Sequence, residues 1–205
     1  MTQTLSVDWL RRHFATTAPP PATVYGDEGV RPEASALRPA AVLVPIVDRA
    51  NGLTMLLTRR AAHLKHHSGQ VSFPGGRVAP GDASPEATAL REAREEIGLD
   101  PQCVELLGRM PAYHTRTEFI ITPVIGVITP PLELRRDANE VEEIFEVPLA
   151  FLLDPANHQR QSREWQGKLR WFYAMPYGEH YIWGATAGML VNLYRYLAQG
   201  SRPAR

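Results

Sequence analysis

Apolar and polar positions change period several times along the chain. Val7, Leu10 and Phe14 recur at helical spacing, which predicts a short amphipathic helix ending before Pro19. The stretch that follows, rich in proline and small residues, reads as an irregular connection up to residue 37. Two nearly continuous apolar runs come next, "AAVLVPIV" and "LTMLLTRR". "DRANG" between them holds Asn51-Gly52, turn chemistry that predicts a hairpin. "AAHLKHHSGQVSFPGGRVAPGD" is polar and punctuated by glycine, so it reads as a long loop with a short strand near Val71 to Phe73. A helix from about Pro85 to Ile97 follows. Ser84 caps it, Pro85 suits its first turn, Gly98 suits its exit, and Ala89, Leu90, Ala93 and Ile97 form its apolar side. Strands are predicted at "CVELLGRM", "FIITPVIGVI" and "EEIFEVPL", and a hairpin in "REWQGKLRWFYAM" turning at Gln166-Gly167. "GATAGMLVNLYRYLAQG" reads as a closing helix with Met189, Leu193 and Leu197 on one stripe and Gly200 past its end. This order predicts an α/β fold in which a mixed sheet packs between helices. The expected division is an N-terminal helix and connection over 1–37, a main domain over 38–200 and a tail over 201–205.

Composition narrows the function classes. The 205 residues suit one large domain, and 44% hydrophobic with 21% charged content supports an ordinary core. Basic and acidic residues balance at 22 each, so no global field favours nucleic acid or an anionic membrane. There is no basic stripe, and no apolar run nears the roughly 20 residues that span a bilayer. The N-terminal stretch has no hydrophobic core of the signal-peptide kind. Cys103 is the single cysteine, which rules out an intrachain disulfide and fits a reducing, cytoplasmic setting. Within "QCVELLGRM" it reads as a buried strand thiol rather than a nucleophile.

The chemistry concentrates in the helix after the glycine-rich loop. Glu92, Glu95 and Glu96 stand at i, i+3 and i+4, so their carboxylates share a face and repel. Arg91, four before Glu95, is placed to brace it. A solvated charged face is the bland explanation. Hard divalent cations, Mg²⁺ or Mn²⁺, are the functional one, because they take carboxylate oxygens and keep waters for substrate phosphates. Gly75 and Gly76, just upstream, let a backbone approach a pyrophosphate closely.

"REAREEIGL", Arg91 to Leu99, fills the fixed positions of the Nudix box ending R-E-U-x-E-E-x-G-U with Arg91, Glu92, Glu95, Glu96 and Gly98. The front half departs from the pattern. Asp82 stands where glutamate is usual, and eight residues rather than seven separate it from Arg91. "LLTRRAAHLKHHSGQVSFPGG", Leu56 to Gly76, resembles the additional motif of the coenzyme A pyrophosphatase branch, with Lys65 in place of the usual arginine. Shorter stretches, "TPVIG", "NEVEEIFEVPL" and "IWGATAGML", also resemble that branch, so the likeness runs from about Arg38 to Leu197. It implies a Nudix-type α/β/α sandwich that cleaves coenzyme A to 4′-phosphopantetheine and adenosine 3′,5′-bisphosphate with Mg²⁺ or Mn²⁺. Two other readings stay open: a Nudix hydrolase of ADP-ribose, dinucleotides or nucleoside triphosphates, and a non-catalytic Nudix-fold nucleotide-binding regulator.

The resemblance assigns Glu92 and Glu96 as first metal ligands and Glu95 as the third. Glu95, Arg91 and, as an alternative base on the downstream stretch "DANEVEEIFEV", Glu140 form the expected catalytic set. In the same stretch alternation predicts Glu142, Ile144 and Glu146 on one face, opposite Glu143, Phe145 and Val147. Arg59, Arg60, Lys65, His66, His67 and Arg77 surround Gly75 and Gly76 and read as a cationic wall for substrate anions. His63, His66 and His67 fit no familiar zinc spacing. Trp165, Trp171, Tyr173, Tyr181 and Trp183 read as core packing rather than base stacking. The expected partner is a small nucleoside diphosphate derivative, not nucleic acid or membrane, and an isologous homodimer is the default assembly.

Overall fold

The structure is a computed structural model that describes residues 5–19, 21, 37–115, 119–165 and 167–199. Most of the proline-rich connection, Gln166 of the expected turn, Gly200 and the tail 201–205 lie outside the described residues. In chain order the elements are α1 (Val7–Thr16), β1 (Arg38–Arg49), β2 (Gly52–Arg60), β3 (Val71–Ser72), β4 (Gly75–Arg77), α2 (Pro85–Ile97), β5 (Val104–Arg109), β6 (Tyr113–His114), β7 (Phe119–Ile128), β8 (Val141–Pro148), α3 (Leu149–Leu152), β9 (Gln159–Trp165), β10 (Lys168–Tyr177), β11 (His180–Trp183) and α4 (Gly184–Gln199).

Ala40 to Val47 of β1 are all buried, because both faces of the strand are covered. Val42, Val44 and Ile46 face one core with Met55, Leu57, Ile125 and Val147, closed by α4 and α1. Ala41, Leu43 and Val47 face the other with Leu56, Val124 and Ile128, closed by Ala89, Ala93 and Ile97 of α2. The expected α/β/α sandwich is therefore present. Its mixed sheet runs β3-β2-β1-β7-β5, with β4 on β1, β6 on β7 and β8 on β2. β1 and β7 pair in parallel over ten residues, and the other described pairings are antiparallel. A second sheet, β11-β10-β9, stands beside it. Thr186 donates to the Val71 carbonyl at 3.0 Å, which ties the start of α4 to β3.

Several expectations shift in detail. The β1–β2 hairpin closes on the Arg49–Gly52 pair, so Ala50 and Asn51 form its turn and Gly52 already belongs to β2. Gly75 and Gly76 lie not in a loop but in β4, paired with Val42 and Ala41. Cys103 is exposed rather than buried, because it ends a 3-10 turn over Pro101–Cys103 and the strand begins only at Val104. The late hairpin has longer arms than expected, and β6, β11 and α3 were not foreseen. Trp171, Tyr173 and Trp183 are half-buried in the second sheet, while Tyr181 is 43% exposed. Along β8, Phe145 and Val147 serve the α4 core and Ile144 the α2 core, as alternation requires.

α1 shares the core of the sheet. Ser6 caps it, and Val7 and Leu10 are buried against the α4 side. Tyr196 of α4 donates to the Thr17 carbonyl at 2.7 Å and packs edge-on against His13. Leu10 has no exposed surface. We expect Leu10→Ala to lose about 2–5 kcal/mol of unfolding free energy, the cost of a buried cavity. Urea denaturation checks this, and a loss below about 0.5 kcal/mol would show that α1 is not part of the core.

Candidate active site

The acidic helix approaches the sheet closely because its inner stripe is small. Ala89, Ala93 and Ile97, at i, i+4 and i+8, are fully buried against β1 and β7. Glu92 and Glu96 each precede a stripe residue by one position, about 100° of helix, so both lean toward β4. The Gly75 N–H donates to Glu96 Oε2 at 3.1 Å. A Cβ on Gly76 would lie 2.5 Å from the Glu92 carboxylate, so any larger residue there would displace that carboxylate. The paired glycines thus give two carboxylates a seat on backbone.

The three glutamates differ in setting. The Glu96 side chain is 4% exposed, that of Glu92 16% and that of Glu95 59%. Burial raises the Glu96 carboxyl to about 8, against the pull of the Gly75 N–H and of Arg60, whose Nη1 is 3.6 Å away. Burial also raises Glu92, and Arg91 pulls it back. The Glu140 carboxylate adds repulsion to both, which places it at the same site. Glu140 is exposed in the turn before β8, and its carbonyl accepts from the Ala61 N–H at 2.8 Å.

Arg91 organises this face. It donates to Asp82 through Nε at 3.0 Å and Nη2 at 2.9 Å, and to the Arg77 carbonyl at 3.1 Å. Its Nη1 lies 2.9 Å from Glu92 and 3.0 Å from Glu95, so the expected i,i+4 brace is present. Asp82 also accepts from the Ala79 N–H and the Thr88 hydroxyl, each at 2.8 Å. These donors, Arg91 first, hold its carboxyl well below the usual range. Asp82 thereby fixes the helix and its arginine. Thr88, fully buried, is a part of this network that the sequence did not single out; its signal was a hydroxyl in the same helical row as Glu92 and Glu96.

The cationic residues divide. Arg60 turns to Glu96, but Arg59 pairs with Glu143 at 2.9 Å and Glu142 at 3.8 Å, away from the acidic helix. Alternation along β2 puts Arg59 on the face of Met55 and Leu57 and Arg60 on that of Leu56, and a bulge on β8 leaves Glu142 without a partner. Glu143 also meets His180, which stacks on Phe145. Lys65 and His67 are exposed on the loop between β2 and β3, where His67 takes a left-handed φ of 56° and its Nδ1 lies 2.9 Å from the Gln70 side chain. Arg77 is exposed at the end of β4.

The donor set suits a hard cation. Two desolvated, mutually repelling carboxylates lie side by side, and a third, solvated one stands a helical turn from Glu92. Among the described residues no three His, Cys, Asp or Glu side chains are gathered so as to hold a metal ion by themselves. An open set of one or two carboxylates is what Mg²⁺ takes when substrate phosphates and water supply the remaining ligands. Among the described residues no helix is long and apolar enough to cross a membrane.

Known proteins bear on this geometry. The model of the NUDIX domain family matches residues 37–169. A Salmonella paratyphi B protein named as an uncharacterized Nudix hydrolase, NudL, is 44% identical over 162 residues, covering 76% of this chain and 81% of its own. Its counterpart from Salmonella enteritidis matches equally. The crystal structure of a Nudix hydrolase from M. smegmatis, RenU, superposes with a TM-score of 0.55 at 19% identity, over 89% of this chain and 96% of that one. That likeness supports the fold.

Two outcomes test the site. Gly76→Ala is expected to push the Glu92 carboxylate off β4 and lower turnover about tenfold or more. A variant with unchanged turnover would mean that Glu92 does not need this seat. The second concerns pH. Glu96 rises from an ordinary 4.5 to about 8, so between those values the native state holds a proton that the unfolded chain has lost. Stability of the metal-free protein therefore falls as pH rises through that window. Melting temperatures in EDTA should decline from pH 5 to 8, and the slope should flatten in Glu96→Gln. An equal slope in the variant would remove Glu96 as the cause.

Proposed function

The chain belongs to the Nudix hydrolase family, and on that premise we propose that it hydrolyses the pyrophosphate bond of coenzyme A, and of acyl-CoA where the pocket admits the acyl chain. The products are 4′-phosphopantetheine and adenosine 3′,5′-bisphosphate. One observation carries the reading: the two motif segments meet in space. Arg60 and Gly75 of the upstream segment both contact Glu96 of the box helix, and Gly76 lies under Glu92. A segment that resembles the coenzyme A branch thus meets the carboxylates of the Nudix box directly.

Within the site, Glu92 and Glu96 would hold Mg²⁺ or Mn²⁺, with Glu95 as the third ligand. A cation held there would supply neutralisation of pyrophosphate charge and a lowered pKa for a bound water. Arg91 acts as a positioning residue, fixing Glu92 and Glu95 from behind. Glu95 and Glu140, both solvated, are the carboxylates placed to accept the proton of the attacking water. Arg60 and Lys65 offer positive charge to the phosphates, with His67 and Arg77 at the rim. Arg59 supports this wall through Glu143 rather than touching substrate. We assign catalysis to residues 38–200, with α1 as a brace, and the single cysteine fits a cytoplasmic enzyme.

Mass spectrometry of products from coenzyme A, ADP-ribose, NADH and a nucleoside triphosphate at equal concentration, with Mg²⁺ or Mn²⁺, tests the reading. We expect coenzyme A to be cut with the highest kcat/KM, with its thiol end intact. Cleavage of ADP-ribose or NADH at about ten times the kcat/KM of coenzyme A, roughly 1.4 kcal/mol of transition-state preference, would overturn the substrate and leave the family.

A further inference from the structure

A second cationic cluster lies on the α4 face of the sheet, where the parallel pair begins. Arg38 of β1 and Phe119 of β7 are register partners, and Ala40 of β1 pairs with Arg77 at the end of β4. Alternation sets Arg38 and Ala40 on the face of Val42 and Val44, opposite α2. The Arg38 guanidinium lies 4.6 Å from the centroid of the Phe119 ring, and that of Arg77 lies 5.4 Å from it. Two exposed arginines therefore share one half-buried ring. Each contact is attractive, but the two like charges repel across it.

Arg77 differs from several arginines of the sheet and of α2. Arg49, Arg59, Arg60 and Arg91 each meet a carboxylate, whereas Arg77 meets none among the described residues. Planar guanidinium forks converging beside an aromatic face suit a phosphate attached to a nucleoside. The cluster also adjoins the acidic site. Arg77 follows Gly76, over which Glu92 lies, and its carbonyl accepts from Arg91. Arg38 is three residues from Ala41, the partner of Gly76, which is about 10 Å along β1. A ligand that reaches both places needs a second anion separate from its pyrophosphate.

The geometry points to Arg38, Phe119 and Arg77 as a subsite for the 3′-phosphate of a nucleoside 3′,5′-bisphosphate unit, reached around the end of β4. This rests on the coenzyme A reading and sharpens it. The 3′-phosphate is the anion that coenzyme A carries and that ADP-ribose and NADH lack. The subsite takes no part in bond cleavage; it selects which pyrophosphate is presented to Glu92 and Glu96.

The test is calorimetric binding of adenosine 3′,5′-bisphosphate and adenosine 5′-monophosphate to the full chain, run beside turnover of coenzyme A and dephospho-coenzyme A. The wild type should bind the bisphosphate about tenfold or more tightly than the monophosphate, the scale of charge-assisted hydrogen bonds. Arg38→Ala and Arg77→Ala should each cut that ratio severalfold through loss of the bisphosphate alone. Phe119→Leu, which keeps both charges, should cut it less. Melting curves confirm that each variant is folded. A wild type without the preference, or arginine variants that retain it, overturns the subsite. A protein that shows the arginine-dependent preference but does not cut coenzyme A keeps the subsite and sinks the substrate reading. Cleavage of coenzyme A with no arginine dependence does the reverse.

Discussion

Two carboxylates held out of water over two adjacent glycines set the terms for much of this structure. Removing a carboxylate from water costs several kcal/mol even after the surroundings relax, so it persists only where neighbours compensate or function requires it. Here the compensation is partial: one backbone N–H and a guanidinium 3.6 Å away for Glu96, and Arg91 for Glu92. The small stripe of α2 allows the approach, and Asp82, Thr88 and Arg91 clamp the helix in place. The remaining deficit is what a divalent cation and a pyrophosphate would relieve together. Local instability and ligand affinity are then one property.

The sheet separates two tasks. On the α2 face, acids, the Gly75 N–H and Arg60 gather around a reacting centre. On the α4 face, the sheet offers arginines and aromatic surface at the start of β1 and β7. Alternation along β2 sorts Arg59 from Arg60, sending Arg60 to the acidic helix and Arg59 to Glu143, which also meets His180. The second sheet docks beside β3 through α4 and β11, so it bears on the loop that carries Lys65 without supplying any of the acidic residues.

Much of this was legible in the sequence where a local rule sufficed. The helix from Pro85 to Ile97 was readable to the residue, because periodicity, a serine cap and a left-handed Gly98 all agree. The i,i+4 brace and the shared acidic face followed from helical geometry alone. What failed depended on distant partners. Gly75 and Gly76 read as a loop because a three-residue strand shows no alternation, and only β1 reveals that they pair. Cys103 read as buried because nothing local marks the strand as starting one residue later. Alternation alone puts Arg59 and Arg60 on opposite faces, but that Glu143 meets one and Glu96 the other depends on β8 and α2. Arg38 and Phe119 are far apart in sequence and meet only through parallel register.

That parallel register also governs the order of events as the chain is made. β1 is covered on one edge by β2 and β4, which follow closely, but its other edge waits for β7, which begins at Phe119. Contacts of such long sequence separation form late, since loop closure must precede any reward. Until β7 arrives, Ala41 and Leu43 lack Val124 and Ile128 as neighbours, and α2 has only half a floor. A nascent chain that has already emerged through Gly98 therefore carries every acid of the box without a rigid seat for them. The acidic helix therefore gains its full support only once the chain has passed residue 128.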